Sequence, residues 1–375
     1  MNNYLNIHIL NSLAFANPNR DDAGAPKSCY YGGVERARMS SQSLKRAARV
    51  AFESASQAHS IRSAFISDEV IASLESRTGS ELDDADKEHV DVAVRALVES
   101  NPKARKKAKA NDDEQEGSAD SDDSGNTLMW LAPAEVAALV DALEPHIGTG
   151  SWPKAGDLRK MVEKTVKSPT LSIAAFGRMF AASPDSGIDA AVQVSHAVST
   201  HTHSIEVDYF TAVDDLREHG AGHLGLSMYT GAVYYRHVSI DRAQLQANIG
   251  AQIDSLSDQL GPLLTSILLE LPTGKQNSAA HQSLPALVVA SPGPRPTNCV
   301  EAFEQPVESD AGYVHRSAKA LAEYINDIAS FMPSAFDGLW VAGRPKLADE
   351  FTAASSYDLD GIVDQAARWL ASPAR

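Results

Sequence analysis

Residues 19–49 read NRDDAGAPKSCYYGGVERARMSSQSLKRAAR, and this stretch concentrates positive charge in an acidic chain. The stretch contains seven basic and three acidic residues and is therefore net positive, whereas the whole 375-residue chain has a formal net charge of −16. The basic residues are Arg20, Lys27, Arg36, Arg38, Lys45, Arg46 and Arg49. A basic patch on an acidic protein is not needed for solubility, so it indicates a docking surface for an anionic partner.

The end of the stretch predicts an amphipathic helix over Ser40–Phe52. One face is apolar and the opposite face is cationic. The apolar face carries Leu44, Ala47, Ala48, Ala51 and Phe52, and the polar face carries Gln42, Lys45, Arg46 and Arg49. Ser40 or Ser41 is a natural N-cap, and the N–H groups of a first helical turn favour phosphate. The alternative is an ordinary surface helix with solvated charges.

Two glycines and a strand pattern precede this helix. Gly32 and Gly33 permit positive φ or close backbone approach. Arg36 and Arg38 alternate as side chains on one face of a strand do.

These residues carry a resemblance to a known family. Asn19-Arg20-Asp21-Asp22, the Tyr31-Gly32-Gly33 turn and the run from Arg36 to Ala47 resemble the signature of the CasC family. CasC is the repeated backbone subunit of the type I-E CRISPR surveillance complex Cascade. Downstream, Asp208–Leu216 (DYFTAVDDL) and Gly222–Gly225 (GHLG) match it again. The similarity is clear over residues 1–55 and 170–250.

The resemblance implies an α+β fold with an RRM-like (ferredoxin-like) palm, an inserted helical fingers domain and a projecting thumb arm. The residue pattern agrees with strand, helix, strand, strand, helix, strand. Alternation at Leu5, Ile7 and Ile9 predicts a half-buried first strand. Strands are also predicted over Ala190–Val198, Met228–Ile240 and Pro285–Ser291. The expected boundaries are palm 1–58, fingers 59–181, palm strand 182–198, arm 199–227 and palm 228–375.

The fingers region contains a second basic group and a segment of unusual composition. Lys154, Arg159, Lys160 and Lys164 indicate a cationic helix, and the resemblance implies that this region faces target DNA. Asn101–Asn126 has no aromatic and no β-branched residue, so we expect a disordered loop there. A neutral linker and a nucleic-acid arm both remain possible roles for this loop.

Two further sets of residues are candidate contacts. Arg178 and Met179 follow Gly177 and could form a wedge between stacked bases, although buried core is the alternative. Residues 199–227 predict an arm with an apolar tip, and the resemblance implies a thumb that folds over guide RNA and touches the next subunit. The candidate residues of the thumb are His201, Tyr209, Phe210 and Val213.

Catalysis is the competing interpretation. The histidines from His196 to His223, with Asp208, Asp214 and Asp215 nearby, could belong to a metal-dependent nuclease. However, no pair has the HExxH spacing of a zinc hydrolase. The resemblance implies that cleavage belongs to a separate nuclease, so no catalytic residue, metal or cofactor is expected.

The expected function is therefore RNA binding without sequence preference. Arg20, Lys27, Arg36, Arg38, Lys45, Arg46 and Arg49 would face the RNA, largely through phosphates, and Asn19, Ser40 and Gln42 would add hydrogen bonds. The expected partners are a CRISPR guide RNA, further copies of this chain in a head-to-tail filament, other Cascade subunits and target DNA.

The composition points to a cytoplasmic protein. The N-terminal MNNYLNIHILNSLAFAN has no basic region of the kind that opens a signal peptide, and no run of the sequence approaches a membrane span. Cys29 and Cys299 have no metal-binding spacing and are expected to be reduced thiols.

Overall fold

The computed structural model describes residues 2–56, 59–99, 127–213, 221–250 and 257–374. The chain divides into two compact units. The sheet unit comprises Met1–Ala55, Val192–Gln246 and Ile253–Arg375, and the helical unit comprises Ser56–Ala191 and Ala247–Gln252. The expected disordered loop, 101–126, lies outside the described residues.

Helices and strands both contribute to the fold, which confirms the α+β class. The strands are β1 (Tyr4–Ala16), β2 (Ser28–Tyr31), β3 (Val34–Met39), β4 (Ile61–Ser63), β5 (Met129–Leu131), β6 (Val192–Val194), β7 (Ala197–Ser199), β8 (Glu206–Val213), β9 (Ala221–Asp241), β10 (Leu287–Gly293), β11 (Trp340–Gly343) and β12 (Ser355–Tyr357). The α-helices of the described residues are α1 (Ser41–Ser56), α2 (Ile66–Thr78), α3 (Asp84–Arg95), α4 (Pro133–Leu143), α5 (Ala155–Thr165), α6 (Leu171–Phe176), α7 (Arg242–Ile249), α8 (Leu260–Leu269), α9 (Gln276–Ala279), α10 (Val314–Phe331), α11 (Pro345–Ala348) and α12 (Leu359–Ala371).

The sheet unit is built on one large sheet with the order β12-β11-β10-β1-β9-β7-β3-β2. Strands β6 and β8 also pair with β9. The neighbours of β1 are both antiparallel to it: Tyr4 pairs with Asp241 of β9 and with Gly293 of β10. The parallel pair in this sheet is β11 with β12. The long strand β9 therefore pairs with four other described strands, β1, β6, β7 and β8.

Strand β1 is buried on both faces rather than half-buried as predicted. Asn6 and His8, which were expected to face solvent, have no exposed surface. Their polar groups are satisfied internally, because Asn6 Nδ2 donates to Arg295 O and His8 Nδ1 lies 2.9 Å from Tyr235 Oη. The apolar and polar residues of β1 do alternate between the two faces of the sheet, but both faces are covered by other parts of the protein.

The predicted strand Ala190–Val198 is in fact two short strands, β6 and β7. Ser195 lies between them and exchanges hydrogen bonds with His237: Ser195 N donates to His237 O, and His237 N donates to Ser195 Oγ. After this interruption, β7 pairs with β3 as well as with β9. Strand β7 thus connects β3 of the basic stretch to β9 and the rest of the sheet.

Helices cover the two faces of the sheet. Tyr234 and Tyr235 are consecutive in β9 and therefore point to opposite faces. Tyr235 belongs to the core beneath α10, with Leu321 and Ile325, whereas Tyr234 belongs to the core beneath α1, with Leu44. The predicted apolar face of α1 is confirmed at Leu44, Ala48 and Phe52, which are buried.

The helical unit has a separate core. Val70 and Leu74 of α2 pack with Val90 and Val94 of α3 and with residues of α4 and α5. Strands β4 and β5 form a two-stranded sheet beside them. Helix α4 coincides with the predicted helix over Pro133–Leu143. Among the described residues, no helix combines the length and the apolar character that crossing a bilayer would require.

Candidate nucleic-acid interface

The basic stretch forms a loop, the β2–β3 hairpin and helix α1. The hairpin turn depends on Gly32 and Gly33, whose φ angles are 60° and 76°. Gly32 is also tightly packed, because a Cβ at this position would lie 1.7 Å from the carbonyl oxygen of Glu304. The turn therefore needs glycine for its conformation and for its close approach to the 299–304 segment.

Five of the seven cations of the stretch are at least partly exposed and have no carboxylate partner among the described residues. Arg20 and Arg46 are exposed, and Lys27, Arg38 and Lys45 are partly exposed. Burial lowers the pKa of Lys45. Among the described residues no acid offsets this shift, and an anionic ligand would do so. These five side chains are the described cations of the stretch best placed to hold phosphates.

Arg36 does not belong to this group, contrary to the expectation from its alternation with Arg38. Its side chain has no exposed surface. Nη1 donates to Ser199 O at 2.9 Å, and Nη2 donates to Phe303 O at 2.9 Å. Arg36 joins β3 to the start of the arm and to the 299–304 segment, so its guanidinium is fully used in the fold.

Arg49 is likewise committed to the protein. Its Nη1 lies 2.8 Å from Glu53 Oε2, and the side chains of Arg49 and Glu53 are 16% and 7% exposed. Arg49 was expected on a cationic face that binds RNA, but Glu53 of the same helix compensates its charge. The i,i+4 spacing of Arg49 and Glu53 was a signal that could have revealed the pair.

The first turn of α1 is largely satisfied by the protein itself, so it offers fewer free amides than expected. Asn19 Oδ1 accepts from Ser40 N at 2.8 Å, and Ser40 Oγ accepts from Ser43 N at 3.2 Å. Asn19 and Ser40 therefore orient the helix. Gln42 is exposed and has no hydrogen bond to a described residue, so its amide is free to bind a ligand.

His196 is a residue that the sequence analysis did not assign to this interface. Its Nδ1 accepts a hydrogen bond from Ser41 N at 3.1 Å and lies 3.2 Å from Arg38 Nη1. Burial, with the Arg38 charge as a second cause, lowers the pKa of His196. The neutral imidazole thus fixes the N-terminus of α1 and the side chain of Arg38.

The arm is a β-hairpin formed by β8 and the first part of β9, with Glu206 paired to Tyr229 and Phe210 to Gly225. Tyr209 and Phe210 are 69% and 47% exposed. The ring of Phe210 lies over Gly225, where a Cβ would come within 2.2 Å of it. The side chain of Val213 lies outside the described residues.

His201, expected to touch RNA or the next subunit, is instead part of the sheet unit's interior. It is 5% exposed, and its ring stacks on Tyr313 with centroids 3.7 Å apart. Its Nε2 accepts from Val233 N at 3.1 Å and its Nδ1 donates to Thr202 O. Burial lowers the pKa of His201. His201 thus supports the beginning of the arm.

The two residues of the predicted wedge, Arg178 and Met179, lie in different environments. Arg178 is buried and forms a bidentate pair with Glu135 at 2.5 and 2.9 Å, so it is structural and not a nucleic-acid ligand. Met179 is 82% exposed and borders a groove of about 620 Å³ whose walls include Gly177 and Ile188. Met179 alone keeps the geometry of a wedge.

The second basic group lies on and before α5. Lys154, Lys160 and Lys164 are exposed. Arg159 is partly buried, pairs with Glu163 at 3.0 Å and donates to Ser183 Oγ. The three lysines are therefore available to a ligand, whereas Arg159 mainly holds the helix against its surroundings.

The histidines of the alternative nuclease interpretation have other partners. His203 Nδ1 lies 3.1 Å from Thr230 Oγ1, and His196 and His201 are bound as described above. Within the described ranges, no group of three or more His, Cys, Asp or Glu side chains is placed to hold a metal ion. His219 and the side chain of His223 lie outside the described residues.

Comparisons with known proteins identify relatives of this chain among solved structures and a matching family. No curated protein matches the chain. Among solved structures, a chain of a "CRISPR RNA-guided surveillance complex, pre-nicking" is 27% identical with a TM-score of 0.78, and the match covers 98% of this chain and 100% of that one. A chain of a "CRISPR RNA-guided surveillance complex" is 23% identical with a TM-score of 0.69, covering 98% and 99%, which shows a shared fold. The family model described as "CT1975-like protein" matches residues 5–365. The chain is therefore a member of the CT1975-like family of Cas proteins.

Proposed function

We propose that this chain is the guide-RNA-binding backbone subunit of a type I-E Cascade complex, equivalent to CasC. Copies of it would assemble head to tail along a CRISPR guide RNA, together with other Cascade subunits, and present the RNA for pairing with target DNA. The subunit would have no catalytic activity of its own and would act in the cytoplasm. The CT1975-like family and the 27% identical chain of a surveillance complex support this proposal.

The observation that carries the proposal is a group of five cations in the basic stretch that are at least partly exposed and have no carboxylate partner among the described residues. These are Arg20, Lys27, Arg38, Lys45 and Arg46. They come from a loop, a hairpin and a helix that Asn19 and His196 hold together. Positive groups on a rigid scaffold contact the backbone of RNA without reading its sequence, as a subunit that serves many different guides requires.

The arrangement of strands supports the RRM-like interpretation of the palm. In chain order, β1, α1, the β6–β7 pair, β9, α7 and β10 follow the strand, helix, strand, strand, helix, strand order of a ferredoxin-like fold. In the sheet, β1 and β9 are the adjacent central pair, flanked by β10 and β7. The exposed Tyr209 and Phe210 of the arm support a contact with RNA or with the next subunit, because a repeating head-to-tail contact needs a projecting element.

The test is RNA binding by a variant that lacks the two exposed cations, Arg20→Gln with Arg46→Gln. The control carries Lys319→Gln with Arg368→Gln, which changes the net charge equally at exposed sites elsewhere in the sheet unit. We expect the first variant to bind guide RNA at least about tenfold more weakly. The slope of log affinity against log salt should also fall by about 1.4.

The control should behave as the wild type. Equal losses of RNA affinity in the two variants would mean that net charge, not this surface, governs binding. Wild-type affinity in both variants would show that this surface is not the RNA interface. In the same preparations, labelled guide RNA should stay intact with added Mg²⁺ or Mn²⁺. Cleavage that Asp208→Asn abolishes would instead support the nuclease interpretation.

A further inference from the structure

The hairpin of the arm needs support from outside itself. Within the described residues, β8 pairs with β9 and with no other strand. Its side chains at Val207, Tyr209 and Phe210 are 47%, 69% and 47% exposed, and Leu226 of β9 is 49% exposed. An isolated two-stranded hairpin is marginally stable in water, so these strands do not hold themselves in one position.

Three groups from other segments hold consecutive residues of β9 where it leaves the sheet. Lys275 Nζ donates to Ser227 Oγ at 2.6 Å. Asn17 Nδ2 donates to Met228 O at 2.8 Å. The ring of Phe15 stacks on Tyr229 with centroids 4.1 Å apart and planes 23° from parallel.

The same lysine also binds the aromatic ring of this cluster. Lys275 Nζ lies 4.9 Å from the centroid of Tyr229, within the range of a cation–π contact. Tyr229 is 6% exposed, while Phe15 is 42% exposed. Tyr229 is thus the buried centre of the cluster, and Phe15 and Lys275 hold it from two separate segments.

The backbone around Lys275 is shaped to bring the ammonium to this position. Lys275 has φ 51°, which is unusual for a residue with a side chain. The preceding Gly274 donates its N–H to Pro18 O, and a Cβ on Gly274 would lie 2.5 Å from that oxygen. The Leu271–Lys275 sequence LPTGK, which superficially resembles a phosphate loop, is therefore a turn seated against the 17–18 segment.

We infer that Phe15, Asn17 and Lys275 are positioning residues that clamp the root of the arm in the free subunit. A clamped arm is already ordered when RNA or a neighbouring copy arrives, so less conformational entropy is lost on assembly. The clamp is a property of the isolated chain. Its consequence for assembly rests on the proposed function.

The test compares Lys275→Met with Lys275→Arg by amide hydrogen exchange in the full chain without RNA. Methionine removes the charge and the donor at similar length, whereas arginine keeps both at the same backbone angle. We expect exchange in Val207–Phe210 and Gly225–Met228 to become about tenfold faster in the methionine variant. The arginine variant should stay close to the wild type. Leu5–Leu10 of β1 serves as an internal reference that should not change.

A second pair of variants tests the stack independently. Phe15→Leu removes the ring and should accelerate the same amides, while Phe15→Tyr retains the ring and should not. Wild-type exchange in both Lys275→Met and Phe15→Leu would overturn the clamp. Equal acceleration in β1 would also overturn it, because it would indicate general destabilisation. Since no RNA is present, a failure of guide binding would not affect the result.

The assembly measurement then separates the clamp from the proposed function. Lys275→Met should require about tenfold more guide RNA to form arrays, and Lys275→Arg should restore the wild-type requirement. Faster amide exchange with unchanged assembly would support the clamp but show that it does not assist assembly. Absence of arrays in the wild type itself would count against the proposed function alone.

Discussion

At the scale of single residues, a buried polar chain runs through the sheet beneath the 295–300 segment. Tyr235 Oη donates to Asn298 Oδ1 and accepts from Cys299 N, so His8 Nδ1 donates to the same oxygen. The rings of His8 and His237 stack 5.2 Å apart, and His237 Nε2 lies 3.1 Å from Asn6 Oδ1. Two neutral histidines are thus buried in the core, where no described acidic side chain would offset the charge of an added proton.

This arrangement predicts sensitivity to acid. Burial lowers the pKa of His237 to about 4, from a usual value of 6.5. Between these two values the unfolded chain binds a proton that the folded chain excludes, so stability is lost as the pH falls from 6.5 towards 4 and is fully present above 6.5. His237 alone should make the free energy of unfolding about 2 kcal/mol lower at pH ~5 than at pH ~7. Urea unfolding at the two pH values measures the difference.

The matched variants are His237→Asn and His59→Asn. The first should reduce the loss of stability between the two pH values, and His8 should continue to contribute in the same direction, because burial also lowers its pKa. The second replaces an exposed histidine and should keep the wild-type dependence. If His237→Asn lost as much stability in acid as the wild type, burial of this imidazole would not be the cause.

At the scale of elements, helix α1 could be predicted from the sequence because its apolar spacing and its Ser40 cap depend on near neighbours. The division of Ala190–Val198 into β6 and β7 was not, since it depends on Ser195 meeting His237 across 42 positions. The same limit explains Arg36 and Arg178: a cation that binds distant carbonyls or a distant Glu135 looks, in sequence, like one that binds a ligand. Long-range partners decide which basic residues remain available.

The arm gives the prediction that belongs to this scale. Replacing Val207–Leu226 with a short Gly-Ser turn keeps His203, Tyr229 and their partners in the sheet unit. The truncated protein should fold and should still contact RNA through Arg20, Lys27 and Arg46, but it should no longer assemble cooperatively. The measurement is mass by light scattering with and without guide RNA. Full arrays from the truncated protein would show that the arm does not join subunits.

At the scale of the whole molecule, the chain combines an excess of acid with local concentrations of exposed cations. Its formal net charge is −16, so most of its surface repels nucleic acid. Binding is therefore restricted to places where cations are concentrated. Within the described residues these are the basic stretch of the sheet unit and, in the helical unit, the exposed Lys154, Lys160 and Lys164. In the proposed function, the first of these sites would hold the guide RNA and the second would meet the target DNA.

The final prediction separates these two roles. Lys154, Lys160 and Lys164 changed together to Gln should leave guide RNA assembly at the wild-type level, because the Arg20 and Arg46 surface is intact. Pairing of the assembled complex with complementary DNA should weaken and depend less on salt, since each copy along the guide loses three phosphate contacts. The control, with Lys319, Lys346 and Arg368 changed to Gln, has the same net charge. If the first variant lost guide RNA as readily as DNA, the lysines would belong to the RNA site, and unchanged DNA pairing would make them a solvated helix face.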